Sequence, residues 1–151
     1  MIRLFAVLLV LIYTCLLSKV AKCQQNVFIV DSETSLVDAN EPPYNQVRPG
    51  DTIILTGGKR GFLRIKNFTG EKENPVIFMN YNGQVIIDTD HYYGISIVNC
   101  RYFKLTGTGD ANHFYGIRIG RVADGAGIGI GGLSSDYEID HVRIENCKSA
   151  G

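Results

Sequence analysis

Two arginines stand at matching places in this chain and could grip carboxylate groups. Arg118 lies between two isoleucines, and Arg143 lies between a valine and an isoleucine. In strands such alternation predicts outward guanidiniums side by side on adjacent turns, with Arg121 near them. Guanidiniums pair with carboxylates through two bonds, and Tyr115 adds a ring that could stack on a sugar. The sequence predicts that these four residues bind an acidic polysaccharide.

Plainer explanations remain open for these residues. Outward strand positions are polar in any case, and nearby carboxylates could neutralise the arginines: Glu138, Asp140 and Glu145. Turn tyrosines also pack over strand edges more often than they bind sugars. A cleaving enzyme would need a base, either His113 or His141 or a basic side chain with a lowered pKa. The catalytic residues are therefore left unassigned.

One acidic cluster could hold a metal ion. Asp88 and Asp90 alternate on either side of a threonine, with His91 following. Ca²⁺ takes six to eight oxygen ligands, so two aspartates supply only part of a site, and aspartates also favour turns for their own sake. Ca²⁺ at Asp88 and Asp90 is the single cofactor expectation, and Asp136 with Asp140 forms a second, looser cluster.

The elements that must position these residues are short apolar phrases that recur. One series begins at Ile53, Val76, Ile95, Ile117 and Val142, and a second follows about ten residues behind each of the first four. A strand-like repeat of this length is typical of a solenoid. The sequence therefore predicts an all-β, parallel β-helix of about five turns with a step of about 22 residues. Its longest insertions, 107–115 and 121–136, should flank any binding site.

The same register places corner residues and cysteines. Asn80, Asn99 and Asn146 follow the apolar phrases at one offset, which predicts a ladder of asparagines at a single corner. Cys100 and Cys147 should lie in one column with Val122 between them. Two turns separate them by roughly 9.5 Å at strand spacing, beyond the reach of a disulfide. Both are expected to be free, buried thiols.

The first 23 residues resemble a secretory signal. A positive start is followed by an apolar run from position 4 to 17 and by small residues near Cys23. That run is shorter than the roughly 20 residues needed to cross a bilayer, so we expect no transmembrane segment in the mature chain and a secreted or cell-surface location. A membrane anchor and a lipid on Cys23 are the alternatives, although Lys22 disfavours the lipid.

A capping segment is expected at 24–48, because Pro42 and Pro43 block a long helix there and solenoids cover their open ends. The β-helix is then expected at 49–151. With 15 basic and 15 acidic residues the formal charge is zero, which gives no general attraction to nucleic acid.

Four stretches resemble right-handed parallel β-helix proteins of the pectin-lyase-like superfamily, the secreted bacterial type. They are Pro49-Gly50-Asp51-Thr52-Ile53, Ile65-Lys66-Asn67, Glu73-Asn74-Pro75-Val76-Ile77 and Gly83-Gln84-Val85-Ile86-Ile87. The resemblance implies a right-handed coil and, for an enzyme, a polysaccharide lyase or glycoside hydrolase. Family members commonly run longer, so the chain is expected to be an N-terminal portion. A non-enzymatic surface or adhesive solenoid is the alternative, and the portion could also lack function alone.

Overall fold

The computed structural model describes residues 25–149, which form strands and turns with no α-helix among them. A single 3-10 turn spans Tyr44–Gln46. The eleven strands are β1 (Val27–Val30), β2 (Leu36–Asp38), β3 (Thr52–Arg60), β4 (Leu63–Lys66), β5 (Val76–Thr89), β6 (Tyr93–Val98), β7 (Arg101–Thr106), β8 (Ile117–Val122), β9 (Ala126–Gly131), β10 (Ser135–Asp140) and β11 (Val142–Ile144).

The strands stack in parallel into a β-solenoid with three faces. Face A contains β1, the first halves of β3 and β5, then β7 and β10. Face B contains the second halves of β3 and β5, then β8 and β11. Face C contains β2, β4, β6 and β9. The chain completes about four turns, one fewer than predicted, because each turn is longer than 22 residues on average.

Strand alternation builds the core. In β4, Leu63 and Ile65 are fully buried whereas Arg64 between them is exposed. The same pattern recurs one turn later in β6, where Ile95 and Ile97 stack on that leucine and isoleucine. Burying a side chain of this size contributes roughly 1.5–3 kcal/mol, so the inward columns supply most of the stability.

An aromatic column runs through the core beside face A. The ring centroids of Phe68 and Phe78 are 5.2 Å apart, and those of Phe78 and Phe103 are 6.4 Å apart, both in edge-to-face contact. Tyr137 then stacks on Phe103 at 5.3 Å. Each such contact adds about 0.5–1.5 kcal/mol beyond burial, which helps fix the register of the turns.

The first turn starts earlier than predicted. β1 and β2 pair with β3 and β4, so the solenoid begins before residue 49. Residues 39–48 cover its open end, where Tyr44 and Val47 pack against the core. The Asp51 carboxylate fastens this cover by accepting hydrogen bonds from the backbone N–H groups of Asn26 and Arg48, each 2.8 Å long.

The single column predicted for the first apolar series is wrong. Ile53 and Val76 lie on face A, Ile95 lies on face C, and Ile117 and Val142 lie on face B. The cause is that all three faces use the same apolar alternation, so the pattern does not tell one face from another. The adjacency of Ile117 and Val142 on successive turns is retained.

The two cysteines in the described range are free, as predicted, but only Cys100 is buried, whereas Cys147 is partly exposed. Cys147 pairs with Val122 across one turn, also as predicted. Cys100, however, lies at the corner between faces C and A, where the next residue pairs with Thr69, so the cysteines do not share a column. Burial raises the pKa of the Cys100 thiol to about 11 and also raises that of Cys147, which makes both poor nucleophiles at neutral pH.

The three asparagines of the expected ladder lie at three different corners. The Asn80 amide donates to the Gly83 carbonyl at 2.9 Å between faces A and B. The Asn146 amide donates to the Gly120 carbonyl at 3.0 Å between faces B and C. Asn99 alone has an asparagine partner.

A shorter polar ladder exists at the corner between faces C and A. The amide of Asn67 donates to the Asp38 carboxylate at 2.8 Å, and the amide of Asn99 donates to Asn67 at 3.4 Å. Both asparagines have positive φ, 64° and 55°, which this residue tolerates. The next position is Gly132, whose added Cβ would lie 2.1 Å from the Asn99 oxygen. The ladder therefore ends at a glycine.

Candidate functional site

The candidate site lies on the last two turns, where face A bends into face B. We call it the corner site. The loop of residues 107–116 connects β7 to β8 and reaches His141, the residue between β10 and β11, through an aromatic contact. Its members are Phe114, Tyr115, Arg118, Asp140, His141, Arg143 and Glu145.

Arg118 and Arg143 are direct neighbours on face B, as predicted. They are paired residues of β8 and β11, and their side chains are 43% and 56% exposed. Adjacent parallel strands are about 4.8 Å apart, so the two guanidiniums form one positive patch facing solvent. This patch is the strongest feature shared by the sequence pattern and the structure.

Glu145 bridges the two guanidiniums. One carboxylate oxygen lies 2.8 Å from Nε of Arg118, and the other lies 2.6 Å from Nη2 of Arg143. The hydrogen bond from Arg118, followed by the charges of both arginines, holds the pKa of Glu145 below its usual value. Because each arginine uses a single nitrogen in this bridge, the other N–H groups of both guanidiniums remain available to a ligand. The trio carries one excess positive charge.

Asp140 and His141 form a carboxylate–imidazole pair beside this patch. The Asp140 carboxylate lies 2.8 Å from Nδ1 of His141. In the neutral imidazole that contact favours a proton on Nδ1, which leaves Nε2 as an acceptor. Burial acts to raise the pKa of Asp140, but hydrogen bonds from Lys104, Thr106 and His141 outweigh it and hold the pKa well below the usual range.

Lys104 fixes the other side of Asp140. Its ammonium lies 2.7 Å from Asp140 and 2.8 Å from Glu138. These bonds, the one to Asp140 first, raise the pKa of Lys104. This lysine therefore stays protonated and serves as a positioning cation rather than as a base. Glu138 and Asp140, which the sequence offered as partners of the arginines, pair with Lys104 instead.

Two exposed aromatic rings border the corner site. Phe114 is 73% exposed and Tyr115 is 40% exposed, and their rings meet edge to face at 4.9 Å. The Phe114 ring also contacts His141 at 5.2 Å. The backbone is held in place because the Gln84 amide donates to the Tyr115 carbonyl at 2.6 Å. Exposed rings beside cations suit a ligand with apolar sugar faces and acidic groups.

A glycine makes the return of this loop possible. The Gly116 N–H donates to the Gly107 carbonyl at 3.0 Å. A Cβ on Gly116 would lie 2.2 Å from that same carbonyl oxygen, so no larger residue fits. His113, the other histidine considered as a base, faces Asp110 of its own loop at 3.5 Å. His113 thus pairs within its own loop, whereas His141 directly precedes β11, the strand that contains Arg143.

Arg121 does not join the other arginines. It lies at the far end of β8, where its guanidinium contacts Asp88 at 2.9 Å and Asp90 at 2.8 Å. These two contacts, the one to Asp90 first, raise the pKa of Arg121. The two carboxylates proposed as Ca²⁺ ligands thus hold a cation of the protein itself. Within residues 25–149 there is no group of three or more acidic, histidine or cysteine side chains placed to hold a metal.

The sequence pattern did not single out Phe114. Residues 121–136, predicted to be a long insertion, contain β9, and the residue that contacts the 107–116 loop is His141. Phe114 could have been suspected as the apolar residue beside Tyr115 in a polar insertion. The other turn tyrosines lie outside the corner site: Tyr92, Tyr93, Tyr102 and Tyr137.

The secretory signal and the Cys23 lipid site fall on residues outside the described range. Across residues 25–149, no helix is long and apolar enough to cross a bilayer. Comparison of the chain with family models, with curated proteins and with solved structures gave no match.

Proposed function

We propose that this protein is an exported, carbohydrate-active β-solenoid that binds an acidic polysaccharide at the corner site. The observation that carries the proposal is the pair of exposed guanidiniums of Arg118 and Arg143 on neighbouring strands, together with the exposed rings of Phe114 and Tyr115 in the loop that leads into β8. Cations that recognise carboxylates and rings that cover sugar faces are the two requirements of such a ligand.

The Glu145 bridge sets how binding would work. A uronate carboxylate arriving at Arg118 and Arg143 would bond to the N–H groups that Glu145 does not use, or would replace Glu145 on one of them. Either route keeps both arginines paired, so the cost of desolvating them is low. Glu145 lowers the affinity, because it competes with the ligand for both guanidiniums.

Cleavage is the second part of the proposal. In β-elimination, a base removes the proton on the carbon next to the uronate carboxylate. The electron pair then forms a carbon–carbon double bond and expels the glycosidic oxygen, which takes up a proton. His141 is the base that the geometry favours, because Asp140 orients its ring. Arg118 and Arg143 would stabilise the charge that develops on the carboxylate.

The test uses the full chain with polygalacturonate and alginate, and with neutral dextran as the control polymer. Calorimetry should detect binding of the acidic polymers alone, and Arg143→Gln should weaken it at least tenfold. Ultraviolet absorbance of an unsaturated product, lost in His141→Ala, would establish the lyase reaction. An equal affinity for dextran, or no binding to either uronate polymer, contradicts the proposal.

Binding without any product would favour the alternative, a non-enzymatic surface or adhesive solenoid. The observation on its side is that Glu145 already pairs with both arginines. Assignment to the secreted, pectin-lyase-like type belongs to the same proposal and rests on the turn motifs and the N-terminal sequence. Terminal sequencing of the exported chain should find cleavage near residue 23, and an uncleaved cytosolic chain would contradict export.

A further inference from the structure

The loop of residues 107–116, which carries the two exposed rings of the corner site, rests on a buried amide. Asn80 is fully buried at the corner between faces A and B, one turn before the loop. Its Nδ2 donates to the Gly83 carbonyl at 2.9 Å, and its Oδ1 accepts the Gly109 N–H at 2.8 Å. One side chain therefore joins the corner of its own turn to the loop of the next turn.

Two glycines allow the loop to lie directly against this amide. A Cβ added to Gly109 would overlap the backbone carbonyl oxygen of Asn80. A Cβ added to Gly116 would lie 2.5 Å from both polar atoms of the Asn80 amide. The chain therefore contacts Asn80 near both ends of the loop, and a side chain at either glycine would push the loop away.

The other contacts of the loop are exposed to water. From residue 108 to 115 no side chain is buried, so apolar burial does not hold this segment in place. The Phe114 ring that contacts His141 is itself largely exposed. The hydrogen bond from Gln84 to the Tyr115 carbonyl is exposed as well, and water can replace an exposed partner at little cost.

The bonds of Asn80 differ because water does not reach this side chain. Its amide donates to one backbone group and accepts from another, as only an asparagine or glutamine side chain can do at neutral pH without a hydroxyl. Removal of the amide would leave the Gly109 N–H and the Gly83 carbonyl facing a cavity. Polar groups without partners are costly inside a protein, so the loop would have to move to restore its hydrogen bonds.

We propose that Asn80 is the positioning residue of the corner site. It is fully buried and does not touch a ligand. It fixes the loop of residues 107–116 on the preceding turn and thereby sets the position of the rings of Phe114 and Tyr115. The expected effect on affinity rests on the polysaccharide binding proposed above, whereas the effect on the loop does not.

A second asparagine with the same pattern of bonds provides a matched control. Asn99 lies at the corner between faces C and A, and its amide donates to Asn67 at 3.4 Å. Its Oδ1 accepts the Leu133 N–H of the next turn at 3.0 Å. For the glycines the control is Gly61, where an added Cβ would meet no atom within 4 Å.

The test measures hydrogen–deuterium exchange of the full chain and its affinity for polygalacturonate. Asn80→Ala and Gly109→Ala should each accelerate exchange in residues 110–116 roughly tenfold, whereas Asn99→Ala and Gly61→Ala should leave it unchanged. Asn80→Asp keeps an acceptor for the Gly109 N–H and should restore part of the protection. The variants with a released loop should bind polygalacturonate about threefold more weakly or worse.

The result for Gly109→Ala decides the proposal even if Asn80→Ala does not fold, because this substitution disturbs the contact from the loop side. Unchanged exchange in Gly109→Ala, or an equal acceleration in Asn99→Ala, overturns the proposal. An undiminished affinity in a variant whose loop exchanges faster also overturns it. If the unmodified protein binds no uronate polymer, polysaccharide binding fails, and the exchange rates alone decide whether Asn80 positions the loop.

Discussion

Two columns of side chains run along face B, one on its inward side and one on its outward side. On each strand, the members of the two columns are neighbours in sequence. The inward column consists of Arg60, Ile87, Ile119 and Ile144. The outward column consists of Lys59, Ile86, Arg118 and Arg143. Each contains arginine, yet Arg60 is 5% exposed and bonds to backbone carbonyls, whereas Arg118 is 43% exposed and pairs with a carboxylate.

The comparison shows that strand parity, rather than residue type, decides what an arginine does here. An inward arginine must find partners inside the solenoid or remain unpaired. An outward arginine exchanges partners with water and ligands at little cost. Equivalent substitutions in the two columns should therefore change the free energy of unfolding by very different amounts.

The largest contrast is expected between Ile119→Ala and Arg118→Ala. Ile119 is fully buried, so its truncation leaves a cavity and should cost about 2–5 kcal/mol of unfolding free energy. The substitution at its outward neighbour should stay within about 0.5 kcal/mol. Urea unfolding of both variants measures the difference, and comparable losses would show that the two columns are not on opposite sides of the sheet.

The inward arginine itself gives the next largest effect. Arg60→Ala removes the bond to the Asp31 carbonyl and the packing of the side chain stem, and we expect a loss of about 2–3 kcal/mol. Lys59→Ala, one residue away and exposed, is the matched control and should be nearly neutral. If Arg60→Ala is as stable as the unmodified protein, the first turn does not depend on this guanidinium.

Alternation along each strand could be predicted from the sequence, but assignment of strands to faces could not. The inward and outward residues of β8 and β11 follow directly from apolar spacing, which is why Arg118 and Arg143 were correctly paired. The three faces share that spacing, and the corners between them differ in length. The residues around Ile95 do not indicate whether this strand belongs to face C, where it lies, or to face A.

The misplacement of Arg121 has a more specific cause. The pairing of β5 with β8 shifts between Ile87 and Asp88, so that Asp88 lies opposite Arg121 and Gly120 is the additional residue. Such a bulge changes which side chains meet. Simple spacing placed Arg121 with the other arginines, whereas the bulge turns it toward Asp88 and Asp90. The contact between Phe114 and His141 likewise joins residues distant in sequence, and the spacing of apolar residues does not predict it.

Asp140, which ends β10 on face A and belongs to neither column, should make the stability depend on pH. The pKa of Asp140 is lowered in the folded protein, so the folded state binds this proton less tightly than the unfolded chain. Its contribution is fully present above the unfolded pKa, about 3.9, and is lost as the pH falls through the folded value. The stability advantage over Asp140→Asn should therefore be constant near neutral pH and shrink below about pH 4. Urea midpoints measured from pH 7 to 2 test this, and an advantage that persists unchanged to pH 2 would contradict it.

The smallest effect on stability is expected from Glu145→Gln, which should nevertheless change binding. The side chain keeps its size but loses the charge that bridges Arg118 and Arg143, and exposed ion pairs contribute little to folding. The Tm should barely change. The freed guanidiniums should bind polygalacturonate several-fold more tightly, with a steeper dependence on salt because more of their charge is available to the ligand. Glu138→Gln, which loses a contact with Lys104 instead, is the matched control and should not increase the affinity. An unchanged affinity in Glu145→Gln would mean that the outward column is a solvated surface, and the contrast between the two columns would then be one of burial alone.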